Sequence, residues 1–257
     1  MNRELPPAYR RLRELTNARI ALDTAGSSLG TRELLAFQYD WARARDAVYY
    51  ELDFDALKAR IEELGYACAQ VASAAGSREV YLRRPDLGRQ LAEGESQRLE
   101  AMEGASWDVS IVVTDGLSGL AVAENAVPLI KAFGRLAAGE GLSLAPIVLA
   151  RQGRVAIGDP IGASLGAKLV VVLIGERPGL SAADSLGAYL TYGPRPGMTD
   201  AERNCLSNIR DGGQAPEMAA NTMMYLVKGA LRLGLTGVSL KDESQLLEQD
   251  EPGIEGY

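Results

Sequence analysis

Eight residues, KLVVVLIG at 168–175, constrain the fold more than any other stretch of this chain. Leu169 through Ile174 are all aliphatic, and a glycine closes the run. An amphipathic helix interrupts such a run with polar residues, and a half-exposed strand alternates. An unbroken, β-branched run bounded by glycine is what a parallel strand covered on both faces produces. Asp108 to Thr114 reads the same way, with VSIVV at its heart and the turn residues Asp115 and Gly116 directly after it.

Further extended segments are expected at Tyr66–Ser73, Glu79–Leu82 and Leu144–Ala150, with a brief strand at Val238–Leu240. Between them the pattern turns helical over Phe54–Leu64, from Pro85 to about Met102, from Leu117 to about Ala138, near Ile161–Leu165, and from Pro216 to Gly234. Strand–helix alternation with right-handed crossovers predicts an α/β fold: a Rossmann-like, doubly wound, mainly parallel sheet whose ligands sit beyond the carboxyl ends of the strands.

The first residues differ in character. Pro6 and Pro7 precede a short helical pattern, and Gly26 to Gly30 form a loop. Leu34, Phe37, Trp41, Ala44 and Val48 then recur at steps of three and four, a stripe expected to bury one helix face. The chain therefore divides into an N-terminal helical arm (1–50), a Rossmann-like domain (51–242) and a flexible acidic tail (243–257).

Composition removes several classes of function. There is no histidine among the 257 residues, so neither a Ser-His-Asp unit nor a His-containing zinc or iron site can be assembled from this chain, and acid–base work falls to carboxylates, Lys or Tyr. The 27 basic residues are scattered and outnumbered by 34 acidic ones, which argues against nucleic acid as a partner. The apolar runs are too short to cross a bilayer, and the amino terminus lacks a signal-peptide pattern, so an intracellular location is expected. Cys68 and Cys205 form no CxxC pair, in keeping with a reducing compartment.

Three loops fall at expected strand ends: 115–118, 152–159 and 175–180. In GERPGL, Gly175 and Gly179 allow close backbone approach to a ligand, and Glu176 and Arg177 set opposite charges there. A structural turn with an internal Glu176–Arg177 ion pair explains the same residues and is the stronger reading on chemistry alone. No GxGxxG accompanies these loops, which disfavours a stand-alone dinucleotide oxidoreductase. DGLSG at 115–119 reads first as a helix cap. RNCLSN at 203–208 gathers a thiol, two amides and a guanidinium in an expected loop, where Cys205 without histidine is a poor nucleophile.

Together these segments resemble the small subunit of ethanolamine ammonia-lyase over roughly Arg19 to Asp242. The residues that carry the likeness are TRELLAFQ at 31–38, ARARDAV at 42–48, RPDLGR at 84–89, VTDGLS at 113–118, GRVAIGD at 153–159, GERPGLSAADSLGAYLTY at 175–192 and RNCLSN at 203–208. The resemblance implies a lyase subunit, inactive alone, whose large-subunit partner carries the ethanolamine site. It implies adenosylcobalamin as cofactor, with radical conversion of ethanolamine to acetaldehyde and ammonia. It also implies a location in the cytoplasm or a bacterial microcompartment. Carried over residue by residue, the family's cobalamin contacts fall on Val155, Glu176 and Cys205, with no catalytic residue and no metal ligand on this chain. Lacking histidine, the chain cannot replace the cofactor's own benzimidazole, so a base-on cofactor is expected. Family members often carry a histidine near Tyr39–Trp41 and near Glu124–Asn125, and this chain has none there. The competing reading is a non-catalytic α/β binding or regulatory module that keeps the fold without the complex.

Overall fold

The computed structural model describes residues 7–16, 18–20, 22, 24–25, 27–102 and 106–241. The expected tail, 243–257, lies outside the described residues, as do Pro6 and Gly26. The arm comprises α1 (Pro7–Leu15), a two-residue ladder of β1 (Thr24–Ala25) with β2 (Ser28–Leu29), and α2 (Thr31–Tyr49). The expected burial of the α2 stripe is not found: Leu34, Phe37 and Trp41 are exposed, and Ala47 is the buried residue of the helix. The helix meets the body at its C-terminal turn, where the Val48 carbonyl accepts from Arg78 Nε (2.9 Å) and Nη2 (2.6 Å). Arginines lie over two of its exposed rings, Arg45 over Trp41 and Arg43 over Tyr39.

The body begins with α3 (Phe54–Glu62), capped by Asp53, whose carboxylate accepts from the N–H groups of Asp55 and Ala56. It continues through β3 (Cys68–Ala72), α4 (Arg78–Arg83), α5 (Glu95–Glu100), β4 (Trp107–Thr114), α6 (Gly119–Gly139), β5 (Ile147–Arg151), α7 (Gly158–Ser164), β6 (Ala167–Gly175), β7 (Leu186–Tyr192), β8 (Asn204–Ile209) and α8 (Pro216–Leu233). The six body strands form one sheet in the order β3-β5-β4-β6-β7-β8. Three of its five pairings are parallel, and the two involving β7 are antiparallel. This is an α/β fold of the Rossmann-like kind, with a mainly parallel sheet.

The two unbroken aliphatic strands, β4 and β6, lie side by side at its centre. Their alternate residues feed two cores. Ile111, Val113, Val171 and Leu173 pack with α3, α6 and α8 on one face, while Val112, Val170 and Val172 pack with Leu99 of α5 and Ile161 of α7 on the other. Coverage on both faces is why neither strand alternates in polarity.

Four expectations are corrected. Glu79–Leu82 is helical, within α4: Ser77 caps it by accepting from the Val80 N–H, and Tyr81 anchors it in the interior. So short a segment carries no decisive period. The helix expected from Pro85 to Met102 is broken by Gly94 (φ 84°), leaving one 3-10 turn at Leu87–Arg89 and the short α5. Val238–Leu240 is a turn, with Val238 open to solvent. RNCLSN is not a loop, since Asn204 to Ile209 form the edge strand β8, with Leu206 and Ile209 facing inward and Cys205 outward.

Candidate cofactor-binding site

The parallel strands end on one edge of the sheet, as the pairings Ala72↔Arg151, Thr114↔Ala150 and Thr114↔Ile174 show. β7 leaves from this edge at Gly175↔Leu186, and β8 returns to it at Leu186↔Ile209. The loops after β4, β5 and β6 are thereby brought beside the end of β8.

The first and third loops interlock through glycines. Gly116 (φ 57°) lies so close to β6 that an added Cβ would stand 2.3 Å from the Gly175 carbonyl oxygen, and a Cβ at Gly175 would stand 2.0 Å from that of Ser118. The Leu117 N–H donates to the Gly175 carbonyl at 2.8 Å. Ser118 caps α6, accepting from the Ala121 N–H. Asp115 is buried, takes the Gln152 N–H at 2.8 Å and sits 3.5 Å from Arg78 Nη1. Burial pushes its carboxyl up, against the opposing pull of Arg78 and the Gln152 N–H. These two groups tie the loop to the arm and to the second loop, so Asp115 is a structural hub.

Between the second and third loops lies a groove of about 590 Å³ whose lining includes Leu117, Arg154, Val155, Ile174, Glu176 and Tyr189. Glu176 stands at the end of β6 and is held by three donors: Ser185 Oγ (2.5 Å), Ser207 Oγ (2.6 Å) and the Asn208 N–H (3.1 Å). A carboxylate offers about four lone-pair sites, so one is left for a ligand. The Glu176–Arg177 ion pair of the turn reading does not form, and Arg177 extends from the groove rim unpaired among the described residues. Asn208 adopts a left-handed φ of 60°, which asparagine tolerates and which aims its N–H at Glu176.

Val155 lies in a 3-10 turn on the groove wall. Cys205 does not line the groove. It pairs with Tyr189 in the register of β7 with β8. Desolvation and the nearby Glu176 raise the Cys205 thiol and outweigh the lowering effect of Tyr189. The protonated thiol is no nucleophile at neutral pH. The chain thus brings Val155 and Glu176 into one groove and sets Cys205 behind Tyr189 at its side.

Arg154 completes the wall. Its N–H donates to the Gly88 carbonyl at 2.7 Å, its guanidinium lies over the Tyr81 ring at 4.2 Å, and its Nε is buried without a hydrogen-bond partner. A deeper fixture stands behind the groove: Arg203 forks onto Asp159 at 2.6 and 2.7 Å, and donates to Thr191 Oγ1 at 2.8 Å and to the Met198 carbonyl at 3.2 Å.

The profile of the family described as ethanolamine ammonia-lyase light chain (EutC) matches residues 6–241. The chain belongs to the ethanolamine ammonia-lyase light-chain family. It is 51% identical over 244 residues to the ethanolamine ammonia-lyase small subunit of Xanthomonas campestris, covering 93% of this chain and 90% of that one. It is 49% identical over 248 residues to the small subunit of Azotobacter vinelandii, covering 95% and 92%. To that of Pseudomonas fluorescens strain Pf-5 it is 49% identical over 245 residues, covering 93% and 89%.

Seen as a member of this family, the chain carries site features that sequence reasoning missed: Tyr189, Ser185, Ser207 and Arg154. The serines were hidden because β7 and β8 were not recognised as strands, so nothing placed Ser207 opposite Glu176. Arg154 left one usable signal, its position between Gly153 and Val155 in the strand-end motif GRVAIGD. Asn125 donates to the carbonyls of Ala121 (3.1 Å) and Asp184 (2.9 Å), tying α6 to the third loop.

Proposed function

We propose that this chain is the small subunit of an adenosylcobalamin-dependent ethanolamine ammonia-lyase and that its strand-end groove helps hold the cobalamin. The observation that carries the reading is the meeting of Val155 and Glu176 in one groove, beside Tyr189 and Cys205, in a chain of this family. When bound, the cofactor supplies the radical chemistry that turns ethanolamine into acetaldehyde and ammonia.

The residues present fit such a group. Leu117, Val155 and Ile174 give the groove apolar wall for a flat macrocycle. Glu176, pinned by three donors, keeps one acceptor site for an amide N–H at the macrocycle's rim. The buried, unpartnered Nε of Arg154 is a donor whose desolvation is uncompensated until a ligand arrives. A groove of about 590 Å³ covers only part of a molecule as large as cobalamin, and the rest falls to the large subunit. The exposed apolar face of α2, with Leu34, Leu35, Phe37 and Trp41, supports a chain that works against a partner.

The chain supplies no acid, base or nucleophile to the reaction, and no histidine for cobalt, in keeping with a base-on cofactor. No helix among the described residues is long and apolar enough to cross a membrane. We place the complex in the cytoplasm or a bacterial microcompartment. Purified alone, the chain is expected to show no turnover of ethanolamine. Mixing with the cognate large subunit and adenosylcobalamin restores it, and failure to do so overturns the assignment in favour of a binding module that has kept only the fold.

A further inference from the structure

Three arginines, Arg89, Arg154 and Arg177, line the cobalamin groove, and among the described residues none of them is in an ion pair. The groove's carboxylates do not answer them. Glu176 is occupied by two hydroxyls and a backbone N–H, and Asp200 stands exposed at 3.6 Å from Arg203. This is an excess of positive charge at a concave surface, which calls for an anion.

Arg154 is the best prepared of the three. Its aliphatic stem packs where a Cβ on Gly88 would intrude, 3.0 Å from Arg154 Cγ, so glycine at 88 makes room for it. Its guanidinium lies over Tyr81, whose hydroxyl donates to the Gly153 carbonyl at 3.1 Å and so fixes the ring. The hydrogen bond it makes, from Nη2 to the Tyr81 carbonyl, is long at 3.5 Å, and the buried Nε makes none. A planar guanidinium held in place, with Nη1 unused and only one long bond from Nη2, is suited to binding phosphate or carboxylate.

Resting on the proposed cobalamin site, we propose that Arg154, backed by Arg89, receives a phosphate ester, the phosphodiester in the nucleotide loop of the cobalamin. The amide side chains at the corrin rim are neutral and need no guanidinium, whereas the phosphodiester carries a permanent negative charge. Arg154 then sets the orientation of the cofactor, because it fixes the end of the groove at which the nucleotide loop must lie.

The test compares two corrinoids on the full chain copurified with its large subunit. Cyanocobalamin has the nucleotide loop, and dicyanocobinamide lacks both it and the phosphodiester. Binding is read from the shift in corrinoid absorbance, without turnover. Arg154→Gln is expected to weaken cyanocobalamin by about tenfold or more, the effect of losing a charge-assisted hydrogen bond, and to leave cobinamide unchanged. Arg135→Gln, which removes an exposed arginine on α6 away from the groove, is expected to change neither. Equal weakening of both corrinoids by Arg154→Gln, or weakening of neither, overturns the phosphate assignment and leaves the cobalamin groove standing. Failure of the wild-type complex to bind either corrinoid overturns both.

Discussion

The guanidinium of Arg154 lies 4.2 Å from the centroid of the Tyr81 ring, and that of Arg78 lies 5.1 Å from the same centroid. One fully buried aromatic residue thus supports both the groove arginine and the arginine that ties the arm to Asp115. Desolvation raises the Tyr81 hydroxyl against the pull of both guanidinium groups, so it stays a neutral donor to Gly153 through the physiological range. Tyr81→Phe is expected to keep the stack and cost about 1 kcal/mol, the loss of one hydrogen bond. Tyr81→Ala is expected to cost about 3–5 kcal/mol and release Arg154. Denaturant unfolding of the two variants checks the difference.

Glu176→Gln retains shape and removes charge. An amide in place of the carboxylate presents two N–H donors to a cage already made of donors. The Ser185 and Ser207 hydroxyls can rotate to accept, but the Asn208 N–H cannot. Because the site is half-exposed, the expected fall in melting temperature is small, while cobalamin affinity of the assembled complex falls by about tenfold. Parallel melting curves and corrinoid titrations separate the two effects.

The Arg203–Asp159 pair is almost wholly removed from solvent, each side chain being 2% exposed. Asp159→Asn removes the buried partner of the guanidinium and leaves it only the exposed Asp200 at 3.6 Å, which is expected to cost about 3–5 kcal/mol. The groove should suffer too, since Arg203 also holds the Met198 carbonyl and Met198 lines the groove. A denaturation midpoint unchanged in Asp159→Asn would contradict this account.

Much of the fold was legible because its centre is extreme. The aliphatic runs of β4 and β6 permit only a doubly covered strand, and Ser118 and Gly234 mark the ends of α6 and α8. The antiparallel half was not legible. β8 carries Asn204, Cys205, Ser207 and Asn208, polar residues whose strand conformation comes from pairing with β7 and not from local propensity. The α2 stripe misled because amphipathic spacing shows that a face is apolar, not that this chain covers it. Of the site, Val155 and Glu176 were indicated by the family resemblance, since on local chemistry alone their glycine-bounded loops read as turns. Tyr189 and Ser207 required the β7–β8 register, which no local pattern encodes.

Asp108 gives a pH dependence far from the groove. The Lys168 ammonium at 2.8 Å, helped by the Ser143 N–H and hydroxyl, lowers its carboxyl from 3.8 to about 2. Folding lowers this pKa, so the folded state binds fewer protons between those values. The stabilisation is complete above about 4 and lost as pH falls through about 2. Asp108→Asn is therefore expected to melt below the wild type at pH 7, with the gap closing over that acid window in thermal scans.

Hydrogen–deuterium exchange on the assembled complex, with and without hydroxocobalamin, tests the cobalamin groove most directly. The account predicts added protection of the 152–158 and 175–185 loops and of β8 when the corrinoid is present, with the outer face of α1 unchanged. Corrinoid binding that leaves all three of these segments unprotected would contradict it.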